Sequence, residues 1–235
     1  MQFRVASYRG GMVALKGAGA FDELAAVLGS ISIADIDARR RHRQASMTAK
    51  GAKRTAGIQS GLNAAIRETL ARVEHGWRTE VQVFDADEGT DKGVWTIDFH
   101  KQFPSLRYGV GLEVTFNHAE ALPWTLIRPT LAYQAETVTR GSRIDIGAII
   151  IGTDHLKGPG KDRRMDSAVG TYERLRTLLP KMKWVLPAPM VIFGLDWADG
   201  AQSGPVDEID IYEERSGLPR PAPVMVPIHA VRPNR

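Results

Sequence analysis

The fold of this chain is decided by Val110-Gly111-Leu112-Glu113-Val114-Thr115-Phe116-Asn117, and by Val94-Trp95-Thr96-Ile97-Asp98-Phe99 shortly before it. In the later stretch, apolar residues alternate with Glu113, Thr115 and Asn117. Because successive side chains of a β-strand point to opposite faces, this alternation predicts a strand with one apolar face. The other face carries the three polar side chains in a row.

The earlier stretch is predicted to be a neighbouring strand that brings a second acid. Trp95, Ile97 and Phe99 are expected to share one face, and Asp98 to point the other way. If the two strands pair, Asp98 and Glu113 converge on one point. Two nearby carboxylates repel each other, and a bound divalent cation allows both to stay ionised. The alternative is two ordinary solvent-facing acids, but acidic residues are depleted in strands, which favours a metal site.

These stretches resemble the PD-(D/E)XK nucleases, and within them the BglII/BamHI-type restriction endonucleases. The resemblance is carried by Ile97-Asp98-Phe99-His100-Lys101, by Leu112-Glu113-Val114-Thr115-Phe116-Asn117, and by a helix-like segment from Glu120. A weaker match lies upstream, in residues 61–70 and 75–77. Together they cover about the central half of the chain.

The resemblance implies an α/β fold with a mixed central β-sheet flanked by helices on both faces. It also implies a type II restriction endonuclease that hydrolyses phosphodiester bonds of double-stranded DNA, with Mg²⁺ as cofactor. Such an enzyme cuts at a short palindromic site, leaves 5′-phosphate ends and acts as a homodimer, because protein symmetry mirrors DNA symmetry. We expect it in the cytoplasm of a bacterial or archaeal cell.

The resemblance also assigns roles at the cleavage site. Asp98 and Glu113 would hold Mg²⁺, helped by the main-chain carbonyl of Val114. Thr115 stands where the superfamily usually has lysine and this subfamily can have glutamine or glutamate. A hydroxyl can position a water but is a poor base at neutral pH. Thr115 therefore keeps open an alternative: a catalytically inactive DNA-binding protein with the nuclease fold.

Basic residues cluster in two places, although the net charge is only +4. The first cluster runs from Arg39 to Arg54 and the second from Lys157 to Arg164. Clustered cations suit a phosphate backbone, whereas a solvated surface is the alternative for each cluster. Two clusters beside a candidate metal site argue against a structural protein without a nucleic-acid role. The residues predicted to bind DNA are Lys50, Lys53, Arg54, Asn117, His118, Lys157, Lys161 and Arg163.

Asn117 has two competing interpretations. Asparagine reads adenine in the major groove, and it also caps helices, here the one predicted to follow. Glu68 lies in the helix before the sheet, where the superfamily often places an acid near the metals. The spacing fits loosely, and an exposed helix face is the favoured interpretation.

The chain is interpreted as a single endonuclease domain over residues 1–235, with a flexible basic loop at about 39–61 and a Pro-rich tail at about 216–235. With no cysteine, thiol catalysis and cysteine-ligated metal sites are excluded. Helices are predicted over 21–28, 62–74, 119–137 and 168–179, and further strands over 80–84, 144–151 and 190–195. Pro129 is expected to kink helix 119–137, which is the candidate dimer interface.

Overall fold

A computed structural model describes residues 1–51, 57–83, 95–135, 143–157, 165–197 and the backbone of 207–209. The Pro-rich tail at 216–235 lies outside these residues. Among the described residues, no helix is both long and apolar enough to cross a membrane.

Within the described residues, seven strands form one mixed sheet in the order β2-β3-β4-β5-β6-β1-β7. The strands are β1 (Gln2–Tyr8), β2 (Arg78–Gln82), β3 (Thr96–Lys101), β4 (Val110–Thr115), β5 (Ile146–Gly152), β6 (Met190–Asp196) and β7 (Asp207–Ile209). The central strands β4, β5 and β6 are parallel, whereas β2, β3 and β4 are joined by antiparallel pairs. Strand β1 pairs antiparallel with β6 and parallel with β7.

Helices cover both faces of the sheet, as predicted. They are α1 (Gly11–Gly17), α2 (Ala20–Ser30), α3 (Ile33–Ala49), α4 (Ile58–Leu70), α5 (Leu122–Gln134) and α6 (Tyr172–Leu178). On one face, α2 and α4 pack with Leu112 and Ile150 in the largest apolar cluster. On the other face, α5 and α6 pack with Ile149 and Ile192. All residues of β5 are buried, which is typical of a parallel strand covered on both sides.

The prediction of a flexible loop over residues 39–61 is wrong for most of that segment. Helix α3 extends to Ala49 and α4 begins at Ile58. Ser32 and Asp35 form a capping box that starts α3, and the arginines that follow are good helix formers. A Cβ on Gly61 would lie 2.4 Å from the carbonyl oxygen of Ile36, so this glycine allows α3 and α4 to cross closely.

The sequence did not reveal β1, which lies between β6 and β7 in the sheet. Only its last four residues are buried, so its hydrophobic pattern is weak. The other predicted strands are confirmed, and the boundaries of β2, β5 and β6 lie within two residues of the predicted ones. Helix 119–137 is observed as a 3₁₀ turn, Ala119–Ala121, followed by α5, with Pro129 inside the helix. Helix α6 is shorter than predicted and continues as a 3₁₀ turn.

Candidate active site

Asp98 and Glu113 lie on paired neighbouring strands. The ladder between β3 and β4 pairs Phe99 with Leu112, and this is the last pair before Asp98 and Glu113. Beyond it, the carboxylate of Asp98 accepts the main-chain N–H of Val114 at 2.8 Å. Asp98 is therefore bonded to the residue next to Glu113, and its charge acts on the Glu113 carboxyl.

Strand β3 changes sides of the sheet at Asp98. Ile97 packs with Ala132 of α5 and with Ile144, whereas Phe99 belongs to the cluster that includes α4. The prediction that Ile97 and Phe99 share a face is therefore wrong. In a regular strand, Ile97 and Phe99 would lie on the same face. Here the main-chain pairing with β4 ends at Phe99, and the next contact with β4 is made by the Asp98 carboxylate.

Glu113 is almost completely buried, with 2% of its side chain exposed. One carboxylate oxygen, Oε2, accepts a bond from Arg128 of α5 at 3.1 Å. The other, Oε1, is buried and has no hydrogen-bond partner. Burial, with the nearby charge of Asp98, raises the pKa of Glu113 to about 8. An unpaired buried carboxylate oxygen is costly, which is the condition expected of a ligand to a cation.

Asp98 is held from a second side by Arg67 of α4. One terminal nitrogen of Arg67 lies 2.7 Å from Asp98, and the other donates to Glu80 of β2 at 2.9 Å. The guanidinium group also lies over the ring of Phe99, 5.4 Å from its centre. Glu80 has a positive φ of 50°, which is unusual for a residue with a side chain. Two acids of neighbouring strands therefore share one arginine.

The donors at this point fit a hard divalent cation. Mg²⁺ is bound by oxygen atoms, commonly from one or two carboxylates, with water or phosphate completing its coordination. Asp98 and Glu113 supply two carboxylates, and the unpartnered Oε1 of Glu113 is free to bind. No group of three acidic or histidine side chains converges within the described part of the chain. The protein would therefore supply two carboxylates, and the carbonyl of Val114 stays a predicted third ligand.

Thr115 lies two residues after Glu113 on β4 and is 5% exposed. Alternation along the strand places it on the same side of the sheet as Glu113. Position 115, next to Glu113 on that side of the strand, therefore holds a small, neutral and buried side chain.

Comparison with known proteins connects this geometry to one family. The family model of the restriction endonuclease BglII/BglIII matches residues 3–195. The chain belongs to this family of restriction endonucleases. No curated protein matches the chain significantly in sequence. Among solved structures, the crystal structure of restriction endonuclease BglII complexed with a DNA 16-mer matches with a TM-score of 0.58 and 17% identity. The match covers 84% of this chain and 79% of that one.

Within this BglII-type fold, Asn117 and His118 lie at the carboxyl edge of the sheet, directly after β4, and both are exposed. Asn117 does not cap a helix, because His118 precedes the 3₁₀ turn and makes no side-chain cap. The carbonyl of Asn117 accepts the N–H of Gly170, and His118 pairs with Val169. The backbone at Asn117 is therefore held by main-chain contacts with residues 169 and 170, while the residue itself is exposed.

The predicted DNA-binding lysines and arginines are placed only in part. Lys157 ends the 3₁₀ turn after β5, where its ammonium group donates to the carbonyl of Ser167 at 3.2 Å. Because β4 and β5 are parallel, this turn lies at the same edge of the sheet as Asn117. Lys50 is exposed at the end of α3. The others lie outside the described residues: Lys53, Arg54, Lys161 and Arg163.

Sequence reasoning missed three charged residues at the site, Arg67, Glu80 and Arg128. It considered Glu68 instead, which is exposed and paired with Arg39 at 2.7 Å. Side chains at adjacent helix positions point about 100° apart, so Arg67 reaches Asp98 whereas the neighbouring Glu68 does not. The periodicity that predicted α4 identifies its buried face but not which polar residue at the border meets a strand acid.

Proposed function

We propose that this restriction endonuclease hydrolyses double-stranded DNA with Mg²⁺ as cofactor, at a short palindromic site. The observation that supports this best is the convergence of Asp98 and Glu113, which leaves one buried carboxylate oxygen of Glu113 without a partner. The family generally uses a divalent metal, and the donors here are those that Mg²⁺ prefers.

In this proposal, Asp98 and Glu113 would hold the metal together with the carbonyl of Val114. When bound, the cation neutralises charge on the scissile phosphate and lowers the pKa of the attacking water. Thr115 positions that water through its hydroxyl. Hydrolysis forms a bond from the water oxygen to phosphorus and breaks the bond to the 3′ oxygen, which takes up a proton. The products carry 5′-phosphate and 3′-hydroxyl ends.

DNA is proposed to lie along the carboxyl edge of the sheet. Asn117 and His118 are exposed there, beside the 3₁₀ turn that carries Lys157. Asparagine can bond both Hoogsteen-edge groups of adenine, so Asn117 is a candidate base contact. We also propose that the phosphates are contacted by five basic residues: Lys50, Lys53, Arg54, Lys161 and Arg163. An enzyme of this kind acts in the cytoplasm of a bacterial or archaeal cell.

We further propose that α5 forms the interface of a homodimer. Trp124 on α5 is 52% exposed, although it is a large apolar side chain, and its ring packs edge-on against Trp95 at 6.0 Å. Tryptophan is enriched at the centres of protein interfaces. A two-fold dimer would present two cleavage sites to a palindromic sequence.

A second candidate, an inactive DNA-binding protein with the same fold, is favoured by Thr115 and by the arginines that already neutralise the acids. Incubation of supercoiled plasmid and phage DNA with the protein and Mg²⁺ separates the two. Cleavage into discrete fragments with ligatable 5′-phosphate ends supports the endonuclease. Salt-dependent retention of duplex DNA, without nicking at any Mg²⁺ or Mn²⁺ concentration, would identify the inactive binder.

A further inference from the structure

Arg67 places a positive charge at the cleavage site, where position 115 provides none. Its guanidinium group is 2.7 Å from Asp98, a predicted metal ligand. It is also one of the groups that favour the ionised form of Glu113. Thr115, two residues after Glu113 on β4, is neutral.

The charges at the site show what Arg67 contributes. Asp98, Glu113 and Glu80 carry three negative charges when ionised, against two positive charges from Arg67 and Arg128. A divalent cation leaves one net positive charge, which is equal and opposite to that of one phosphodiester. Without Arg67, the loaded site would be neutral and would lose its net attraction for the phosphate.

Arg67 is also placed to be reached by DNA. Its side chain is 29% exposed, and it lines a groove of about 730 Å³ between α3 and α4. The same groove is lined by Arg39, His42, Arg43, Asn63 and the acid Glu68. Arg39 is engaged by Glu68, whereas Arg43 is exposed on α3. A groove lined mainly by basic and polar side chains, in which Arg67 connects to Asp98, suits the sugar–phosphate backbone of a strand.

We propose that Arg67 contacts the phosphate that is cut and supplies there the positive charge that Thr115 lacks. Before DNA and metal bind, Arg67 is held by Asp98 and Glu80. In the loaded site, Arg67 would keep its bond to Glu80 and donate to the phosphate with its other guanidinium nitrogen. Arginine suits this role because its fork of donors can bond a carboxylate and a phosphate oxygen at once. This inference rests on the proposed endonuclease activity.

The test compares Arg67→Gln and Arg67→Lys with wild type in two measurements. The first is single-turnover cleavage of a plasmid that the wild-type protein cuts, with enzyme and Mg²⁺ in excess. We expect Arg67→Gln to be slower by about 100-fold, as for other single contacts to transition-state charge. Arg67→Lys should retain part of the rate, and added guanidinium ion should partly restore Arg67→Gln.

The second measurement is the affinity for Ca²⁺ without DNA, by calorimetry. Because Arg67 competes with a cation for Asp98, Arg67→Gln should bind Ca²⁺ several-fold more tightly while cutting more slowly. A merely structural arginine would lower both quantities together, along with the melting temperature. Arg72→Gln, which removes an exposed arginine just beyond α4, is the matched control and should change neither.

Each outcome decides the inference. The inference is overturned if Arg67→Gln cleaves at the wild-type rate, or if it loses cleavage rate and Ca²⁺ affinity together. Both outcomes leave the endonuclease proposal intact. If Arg67→Gln does not fold, Arg67→Lys decides: a slower rate with unchanged melting temperature supports the contact, and an unchanged rate with unchanged Ca²⁺ affinity refutes it. A wild-type protein that cuts no DNA overturns both proposals.

Discussion

Asp98 accepts the main-chain N–H of Val114 at 2.8 Å, and Val114 is the residue next to Glu113. The bond therefore ties the first acid to the backbone that carries the second. Because a main-chain donor cannot rotate away, the Asp98 carboxylate is held against the strand that carries Glu113 before any cation binds. Preorganisation of this kind lowers the reorganisation needed during catalysis.

Loss of either acid is expected to abolish cleavage. Asp98→Asn and Glu113→Gln keep the size of each side chain but remove the charge that holds the metal. Mg²⁺-dependent cleavage should disappear, while DNA binding survives and strengthens if repulsion from the phosphates is lost. Asp22→Asn, an exposed acid on α2, is the control and should cut normally. Plasmid cleavage and filter binding measure the two properties, and full cleavage by either site variant would disprove the assignment.

The buried Glu113 should make the metal-free protein less stable as pH rises. Its pKa is about 8 in the folded chain, against an ordinary value of 4.5. Between these values the folded state holds a proton that the unfolded state has lost, so stability is fully present below pH 4.5 and falls up to about pH 8. Glu113→Gln should remove this dependence and stabilise the metal-free protein at pH 8 by on the order of a few kcal/mol.

Thermal unfolding with chelator at several pH values provides the measurement. The wild-type melting temperature should drop relative to Glu113→Gln between pH 5 and about pH 8. Ca²⁺ should restore the wild type more at the high end of this range, because binding displaces the proton. Parallel curves for the two proteins would show that Glu113 is ionised throughout.

The sequence was sufficient to predict the mixed sheet and the two acids because strand alternation and buried apolar runs are local signals. It was insufficient for β1, whose hydrophobic pattern is half exposed. It also misjudged α3, where a run of arginines looked like a loop. That helix is stabilised by a capping box and by its close crossing with Gly61, and the crossing is a tertiary contact.

The same distinction explains the site. Asp98 and Glu113 could be found because each lies on a strand with a readable period. Arg67 and Arg128 come from helices on opposite faces of the sheet, and only the packing of α4 and α5 brings them to the acids. The crossing of β3 from one face to the other at Asp98 could not be predicted either, since alternation assumes a regular strand.

The basic cluster after α3 should determine how binding depends on salt. Lys50 is exposed at the end of the helix, and Lys53 and Arg54 follow it in the sequence. If each contacts a phosphate, replacing it by alanine should flatten the plot of log affinity against log salt by about one unit of slope. Fluorescence anisotropy on a duplex at several salt concentrations measures this. Identical slopes for wild type and all three variants would show a solvated surface.

Trp124 should control dimer formation. Burying its exposed ring in a two-fold interface would remove apolar surface from water, and Trp124→Glu would place two charges in that interface. We expect dimers to dissociate and double-strand cleavage to fall, with little change in melting temperature. Analytical ultracentrifugation gives the association state. Trp184→Glu is the control, because Trp184 is an even more exposed tryptophan outside α5. An equal effect of both variants would contradict an interface centred on α5.

Thr115 should contribute to chemistry and little to affinity. It is buried on β4, two residues after Glu113 and on the same side of the strand. A threonine hydroxyl cannot accept a proton as an ordinary base near neutral pH, so its role is a hydrogen bond that positions the attacking water. Thr115→Val keeps the shape and removes the hydroxyl, so single-turnover cleavage should slow by about 100-fold while DNA affinity is unchanged. Thr115→Ser keeps the hydroxyl and should retain most of the rate. If Thr115→Val cuts at the wild-type rate, the hydroxyl is a bystander and another group positions the water.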